Sequence, residues 1–362
     1  MMEEIIKKVL ELNTLEFEEA YTLYNDSDLS LLMWLGNEVR KKQVPGREVG
    51  WIIDRNVNIT NVCSSRCSFC NFHRLKKDKD AYITTFTEYR RKVKELFELG
   101  GNQLLLQGGL HPDLGLQFYS DLFSGLKKEF PDLLLHALGP PEIHFLARKE
   151  KKSYRQVLTI LMDSGLDSLP GAGAEILCDE VRKFISRGKA STEEWLNVMK
   201  QAHRLNLPTS ATMMYGHLES PEQRIQHLFR IRELQAIKPP GHYGFITFVP
   251  WPFQAENTGL KEKYPKDYRQ FADEYVRIIS ISRIVLNNIK HIQASWLTTG
   301  LDIAQICLHA GADDLGSIMI EENVVSSAGA SFRTNAEEIQ EVIRKAGFIP
   351  RLRNQKYETI GI

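Results

Sequence analysis

The chain repeats one unit eight times, a short apolar strand followed by a helix, and that alternation limits its fold more than any other feature. Strands are expected at 57–60, 103–107, 133–138, 168–170, 209–215, 243–250, 291–296 and 314–319. Helices are expected between them at 87–99, 116–130, 153–164, 191–205, 220–235, 266–286 and 301–310. The strands are nearly continuous apolar runs, as in parallel sheets covered on both faces. Thr192-Glu193-Glu194 and Pro221-Glu222 place carboxylates at helix starts, where the helix dipole favours them. Eight such units predict an α/β fold, a closed (β/α)8 barrel of the TIM type, with an open doubly wound sheet as the alternative.

A chain of 362 residues can bury one large core, and a single α/β barrel uses much of that length. Ile5, Ile6, Val9 and Leu10 recur at helical spacing, so residues 1–50 are expected to form an N-terminal helical cap, broken at Pro45-Gly46. The barrel is expected over 51–330, and a C-terminal helix and tail over 331–362, packed on it. Forty-six basic and 46 acidic side chains cancel, so no global field argues for nucleic acid or an anionic membrane. No apolar run approaches the roughly 20 residues that span a bilayer, and the N-terminus lacks a signal-peptide pattern. A soluble, cytoplasmic protein is expected.

In a parallel barrel the chemistry lies at the C-terminal ends of the strands. After the first strand comes Cys63-Ser64-Ser65-Arg66-Cys67-Ser68-Phe69-Cys70, which holds three of the five cysteines in the chain. Thiolates so spaced can wrap one soft metal centre, as cysteines do for iron–sulfur clusters. Three ligands on a four-iron cluster leave one iron open to a small molecule. A Cys3His zinc site completed by His73 is the alternative. Cys178 and Cys307 read as isolated buried thiols, and the pattern implies a reducing compartment.

The C-x3-C-x2-C spacing, with Phe69 just before the last cysteine, resembles the signature of the radical S-adenosylmethionine (SAM) superfamily. The resemblance implies that Cys63, Cys67 and Cys70 hold a [4Fe–4S] cluster whose open iron binds SAM, with Phe69 and Phe72 beside the cofactor. It also implies a low-potential electron donor protein as a partner. Gln107-Gly108-Gly109 follows the second strand; paired glycines let backbone approach a ligand, here the SAM methionyl group. The superfamily usually has Gly-Gly-Glu at this place, so the third position departs from the pattern. Glu142 reads as a carboxylate favouring a helix N-terminus. Glu175, closing the loop Pro170-Gly171-Ala172-Gly173-Ala174, is the candidate for the SAM ribose. Arg182 and Lys189 are either partners of a ligand carboxylate or solvated surface charges.

Later segments narrow the resemblance, which covers nearly the whole chain. Gly173-Ala174-Glu175-Ile176-Leu177, Ala211-Thr212-Met213-Met214-Tyr215-Gly216-His217, Gln293-Ala294-Ser295-Trp296 and Glu321-Glu322-Asn323 look like the radical SAM enzymes of the futalosine route to menaquinone, cousins of the deazaflavin synthases. Pro250-Trp251-Pro252-Phe253-Gln254 and the tail with Arg353 and Tyr357 are most similar to the members that cyclise dehypoxanthine futalosine. The resemblance thus implies that small molecule as substrate. A 5′-deoxyadenosyl radical takes hydrogen from its ribose, and the substrate radical adds to its own benzoate ring. An aminofutalosine synthase, a deazaflavin synthase-like enzyme and a zinc-stabilised ligand-binding barrel are the alternatives.

Candidate substrate contacts are Trp251, Phe253, Gln254 and Asn257 after the sixth strand, Gln293 and Ser295 after the seventh, and Glu321, Glu322 and Asn323 after the eighth. Trp251, held between two prolines, is either a preset aromatic wall or a core tryptophan. The proton acceptor is to be sought among His217, Glu175 and His111.

Overall fold

The computed structural model describes residues 1–269 and 271–360. Its strands are β1 (Glu48–Ile52), β2 (Asp54–Asn58), β3 (Gln103–Gln107), β4 (Leu134–Ala137), β5 (Thr209–Tyr215), β6 (Phe245–Pro252), β7 (His291–Ile292), β8 (Asp314–Ser317) and β9 (Ile349–Leu352). All named pairings are parallel, in the orders β8-β1-β9, β2-β3-β4 and β5-β6-β7. Single parallel bridges link these pieces, His136 to Ser168, Leu169 to Thr209, and Gln293 to Asp314. With β1 and β2 as one bent strand, the ring closes through eight staves, as the repeat predicts.

The outer helices start where local chemistry dictates. Thr85 with Glu88, Ser153 with Gln156, Ser191 with Glu194 and Ser220 with Gln223 each form a reciprocal capping box. Each box satisfies amide donors that a helix start leaves unpaired. Helices Pro140–Glu150, Asp179–Ile185 and Trp296–Thr299 escaped the apolar pattern. The fourth stave is reduced to the bridges at Ser168 and Leu169. A short helix outside the expected spans, Gly259–Lys263, comes first, and the helix expected at 266–286 starts only at Ala272, as Ala272–Val285. Pro265 follows the end of the first, and a side-chain oxygen of Asp267 accepts from the Arg269 amide at 2.9 Å, a local turn that competes with helix. Position 270, within that expected helix, and the last two residues of the expected tail lie outside the described residues.

Three helices, Met2–Leu10, Phe17–Asp26 and Leu29–Gln43, form the cap. The third lies against the barrel at Gly36, where a β-carbon would stand 2.4 Å from the Ala310 carbonyl oxygen. The first strand begins at Glu48, inside the span expected for the cap. The tail does more than lie on the surface. Strand β9 pairs with the N-terminal half of the bent strand, Gly50 opposite Arg351, and carries Arg353 into a bidentate pair with Asp314. Tyr357 stacks on His291 with ring centres 3.7 Å apart. The tail therefore closes the N-terminal end of the barrel, leaving the opposite end as the way in.

Candidate active site

Inside the barrel lies a cavity of about 400 Å³, and Cys63, Cys67 and Cys70 all line it. Their loop is held from both sides. The Cys63 amide donates to the Arg74 carbonyl at 3.1 Å, the Ser64 amide to the Leu110 carbonyl at 3.0 Å, and the Cys70 amide to the Cys67 carbonyl at 3.2 Å. Gly109 forms part of the seat. A β-carbon there would stand 2.2 Å from the Val62 oxygen and 2.8 Å from Cys63 Cβ. Only a residue without a side chain lets the two loops meet.

Among the described residues no group of three or more His, Cys, Asp or Glu side chains converges closely enough to hold a single metal ion. His73 Nδ1 lies 2.8 Å from the Cys70 carbonyl oxygen. A tetrahedral zinc site needs four ligand atoms at about 2.0–2.3 Å from one point, so the Cys3His alternative does not fit. A four-iron cluster is larger than an ion and takes each thiolate on a different iron. Three cysteines facing one cavity suit that larger group.

Beside the cysteines the cavity wall carries Phe69, Phe72, Gln107, Gly108, Gly109 and Glu175, with Lys189 among them. Glu175, at φ 44°, receives Lys189 Nζ at 2.7 Å, and Lys189 stands 5.2 Å from the Phe69 ring centre. Burial alone would lower the Lys189 pKa, but Glu175 and the neighbouring Cys67 and Cys70 outweigh it and keep the amine charged. Burial pushes the Cys67 thiol up to about 11, against the pull of Lys189 and Ser65. The cation is thus placed to offset thiolate charge, with Glu175 beside it in the cavity wall.

Arg182 does not join them. Its guanidinium is buried and donates to the carbonyls of Gly173, Ala174, Ile176 and Ala190, so it shapes the Glu175 loop from behind. His217 also leaves the candidate list. It is fully buried outside the cavity wall, with Nε2 2.9 Å from the Met214 carbonyl and Nδ1 2.9 Å from Glu219. Burial would raise the Glu219 carboxyl, but His217, Arg224 and the Gly216 amide hold it well below the usual range. His111 is buried too, its Nδ1 accepting from the Asp113 amide at 3.1 Å.

Of the proposed substrate contacts, Trp251, Gln293, Ser295 and Glu322 line the cavity. Glu322 is occupied, accepting from the amides of Val324, Val325 and Ser326 at 2.7 Å each. Phe253 is buried against His217 and Tyr268, Gln254 donates to the Pro252 carbonyl, and Asn257 is exposed at φ 59°. Glu321 pairs with Arg55 and Lys92 on the outer side of the barrel wall, and Asn323 donates to Asn58 Oδ1 at 3.1 Å. These side chains hold loops.

Two parts of the wall were not assigned to the site by the motifs. One is the polar interior of the bent strand, Asp54, Asn56 and Asn58, at every second position and all buried. Asn56 Oδ1 and Asn58 Nδ2 find no partner among the described residues, which is costly unless a ligand supplies one. Polar residues at period two in a buried strand were the signal available in the sequence. The other is Glu142, which faces the cavity and forms no ion pair among the described residues. Burial pushes its carboxyl up to about 7, against Lys189 and the Gly108 amide.

A barrel with a three-cysteine loop on its first stave is the architecture of radical SAM enzymes. Among solved structures the chain is similar to methylornithine synthase (PylB), with a TM-score of 0.72 and 18% identity over 97% of this chain and 98% of that one. It is equally similar to the hydrogenase maturase HydG from Carboxydothermus hydrogenoformans, with a TM-score of 0.72 and 16% identity over 98% and 80%. These likenesses concern the fold. The radical SAM superfamily model matches residues 57–231, and the CofH/MqnC C-terminal region matches residues 242–362. Cyclic dehypoxanthine futalosine synthase of Streptomyces coelicolor is 44% identical over 95% of this chain and 85% of its own. That of Halalkalibacterium halodurans is 37% identical over 98% and 94%. The 5-amino-6-(D-ribitylamino)uracil–L-tyrosine 4-hydroxyphenyl transferase of Methanothermobacter thermautotrophicus is 38% identical over 98% and 97%. The chain belongs to the radical SAM superfamily, in the group that carries the CofH/MqnC C-terminal region. It is an enzyme whose cofactors are a [4Fe–4S] cluster and SAM.

Proposed function

We propose that this enzyme cyclises dehypoxanthine futalosine in the futalosine route to menaquinone. The observation that carries the reading is one continuous cavity running from the three cysteines past Glu175 to Trp251, in a chain 44% identical to a cyclase over nearly its whole length. Cys63, Cys67 and Cys70 would hold the cluster and the wall at Glu175 the SAM, and the pair would supply the radical chemistry that removes hydrogen from the substrate ribose. The rest is positioning by this chain. Asn56 and Asn58 offer unpaired polar atoms to substrate hydroxyls, and Trp251 offers a flat wall to the benzoate ring. The prolines beside Trp251 restrict its loop before substrate arrives, so little entropy is lost on binding. Holding ring and ribose in contact makes the ring closure an aligned intramolecular attack.

Closing the ring leaves an electron and a proton to be removed; SAM is the overall oxidant, so the electron would return to the oxidised cluster. Glu142 takes the proton. It stands in the cavity wall without an ion-pair partner among the described residues, and a carboxyl with its proton affinity near neutrality suits a general base. Glu175 is committed to Lys189, and His136 is held neutral by burial, which lowers its pKa to about 3. The test is anaerobic incubation of the cluster-loaded enzyme with dehypoxanthine futalosine, SAM and dithionite. A product lighter by two hydrogens, formed with 5′-deoxyadenosine, is expected. Product from L-tyrosine and 5-amino-6-(D-ribitylamino)uracil instead would reassign the chain to the transferase reaction.

A further inference from the structure

Ser68 sits between two of the cysteines, and its contacts point outward. Its amide donates to the Ile185 carbonyl at 2.9 Å, its hydroxyl to the carbonyls of Phe184 and Ile185 at 3.2 Å each, and its carbonyl accepts from the Leu260 amide at 2.7 Å. The cysteine turn is thus clamped between the end of helix Asp179–Ile185 and the start of helix Gly259–Lys263. One residue separates the thiols from the surface that these two helix ends make.

That surface is aromatic and basic. Phe184 is 46% exposed and meets Tyr264 edge to face, with ring centres 6.2 Å apart. Lys183 Nζ stands 5.3 Å from the Phe184 ring centre, and Lys263 Nζ 5.2 Å from that of Tyr264. Arg66, within the cysteine loop, and Arg187 are exposed beside them. None of these four cations forms an ion pair with a carboxylate among the described residues. Glu180 and Glu262 are the exposed acids of the same segments whose charge is likewise free. In a chain whose charges cancel overall, this is a local positive excess around the exposed Phe184 and the half-buried Tyr264, beside the turn that carries the cluster ligands.

We infer that this face docks an acidic one-electron donor protein, a small carrier of flavin or iron–sulfur. The inference rests on the radical SAM reading. Reductive cleavage of SAM consumes one electron, so a donor oxidised by one electron must reduce the cluster. The barrel mouth is needed for SAM and substrate, whereas the Ser68 side is the short way in from outside. Opposite charge on the partner accelerates encounter and fixes its orientation, and aromatic side chains give the centre of such a patch apolar area.

The test uses the cluster-loaded full-length enzyme, reduced flavodoxin as the donor, and the double variant Lys183→Glu, Lys263→Glu. The rate of flavodoxin oxidation by enzyme and SAM should fall about tenfold at low salt, and the difference should shrink as salt screens the charges. Cleavage of SAM driven by dithionite should match the parent, because neither lysine touches the cavity. Lys128→Glu, on the exposed side of another outer helix, should leave both rates unchanged. An unchanged flavodoxin rate in the double variant, or an equal loss in Lys128→Glu, overturns the docking face. A parent face that instead pairs two copies of this chain in sedimentation, abolished by the double variant, overturns it as well. Failure of dithionite to drive SAM cleavage in the parent sinks the radical SAM reading itself, and is told apart by the donor-free arm.

Discussion

Replacing Gly109 with alanine should loosen the cluster without unfolding the barrel. The added β-carbon would lie 2.2 Å from the Val62 oxygen, 2.6 Å from the Val62 carbonyl carbon and 2.8 Å from Cys63 Cβ. Carbon contacts settle near 3.5–4.0 Å, so relief requires the loops to part by roughly 1 Å. Gly109 does not occupy the left-handed region, so the effect is spatial alone. Overpacking of this kind costs about 1–3 kcal/mol. The cost falls where the loop is thinnest, because Val62 and Cys63 lie between the Gly109–Thr60 and Cys63–Arg74 hydrogen bonds. If it is borne by the cluster-bound form, cluster affinity drops by about 5- to 150-fold. Iron retention against a chelator, followed by visible absorption under anaerobic conditions, reads this directly. Gly259→Ala is the control, since its β-carbon would meet only the Ser68 oxygen at 3.6 Å, an ordinary contact. A Gly109→Ala protein that keeps its iron as firmly as the parent would refute the close-packed seat.

Other changes test the remaining assignments. Glu142→Gln should slow cyclisation while SAM binding persists; in the parent, the cyclisation rate should fall as pH drops below about 7, where the carboxyl is protonated, and an identical pH profile in the variant would remove Glu142 as the acceptor. Trp251→Leu should keep a folded, cluster-bearing protein that releases more 5′-deoxyadenosine per cyclised product; lost stability with normal coupling would make the indole a core residue. Lys189→Met should weaken SAM affinity, measured by equilibrium binding, because Glu175 loses its partner at 2.7 Å; unchanged binding would detach the pair from the cofactor. His217→Phe should cost about 1–3 kcal/mol of stability through lost buried hydrogen bonding, read as a lower melting temperature, with normal coupling in the folded fraction; impaired coupling at full stability would return His217 to the chemistry.

The barrel and its cluster loop were legible because both are local properties. A period of apolar runs marks strands and helices in turn, capping boxes mark helix starts, and three cysteines within eight residues can meet whatever the rest of the chain does. Strands β3 and β5 fall where the apolar runs predict them. What a side chain faces is a different matter, because it depends on residues distant in sequence. His217, Phe253 and Glu321 stand at strand ends, where chemistry is expected, yet each is turned to a structural partner. Glu142 reads as a helix-start carboxylate and becomes part of the cavity wall because the Gly108 loop, more than thirty positions away, closes over it. Arg353, 39 residues past Asp314, reaches the barrel only because β9 pairs with β1. Composition and spacing determine which elements form and where a cluster can be held; the register of the closed ring decides which polar groups share its interior, since only closure brings distant strands to one axis.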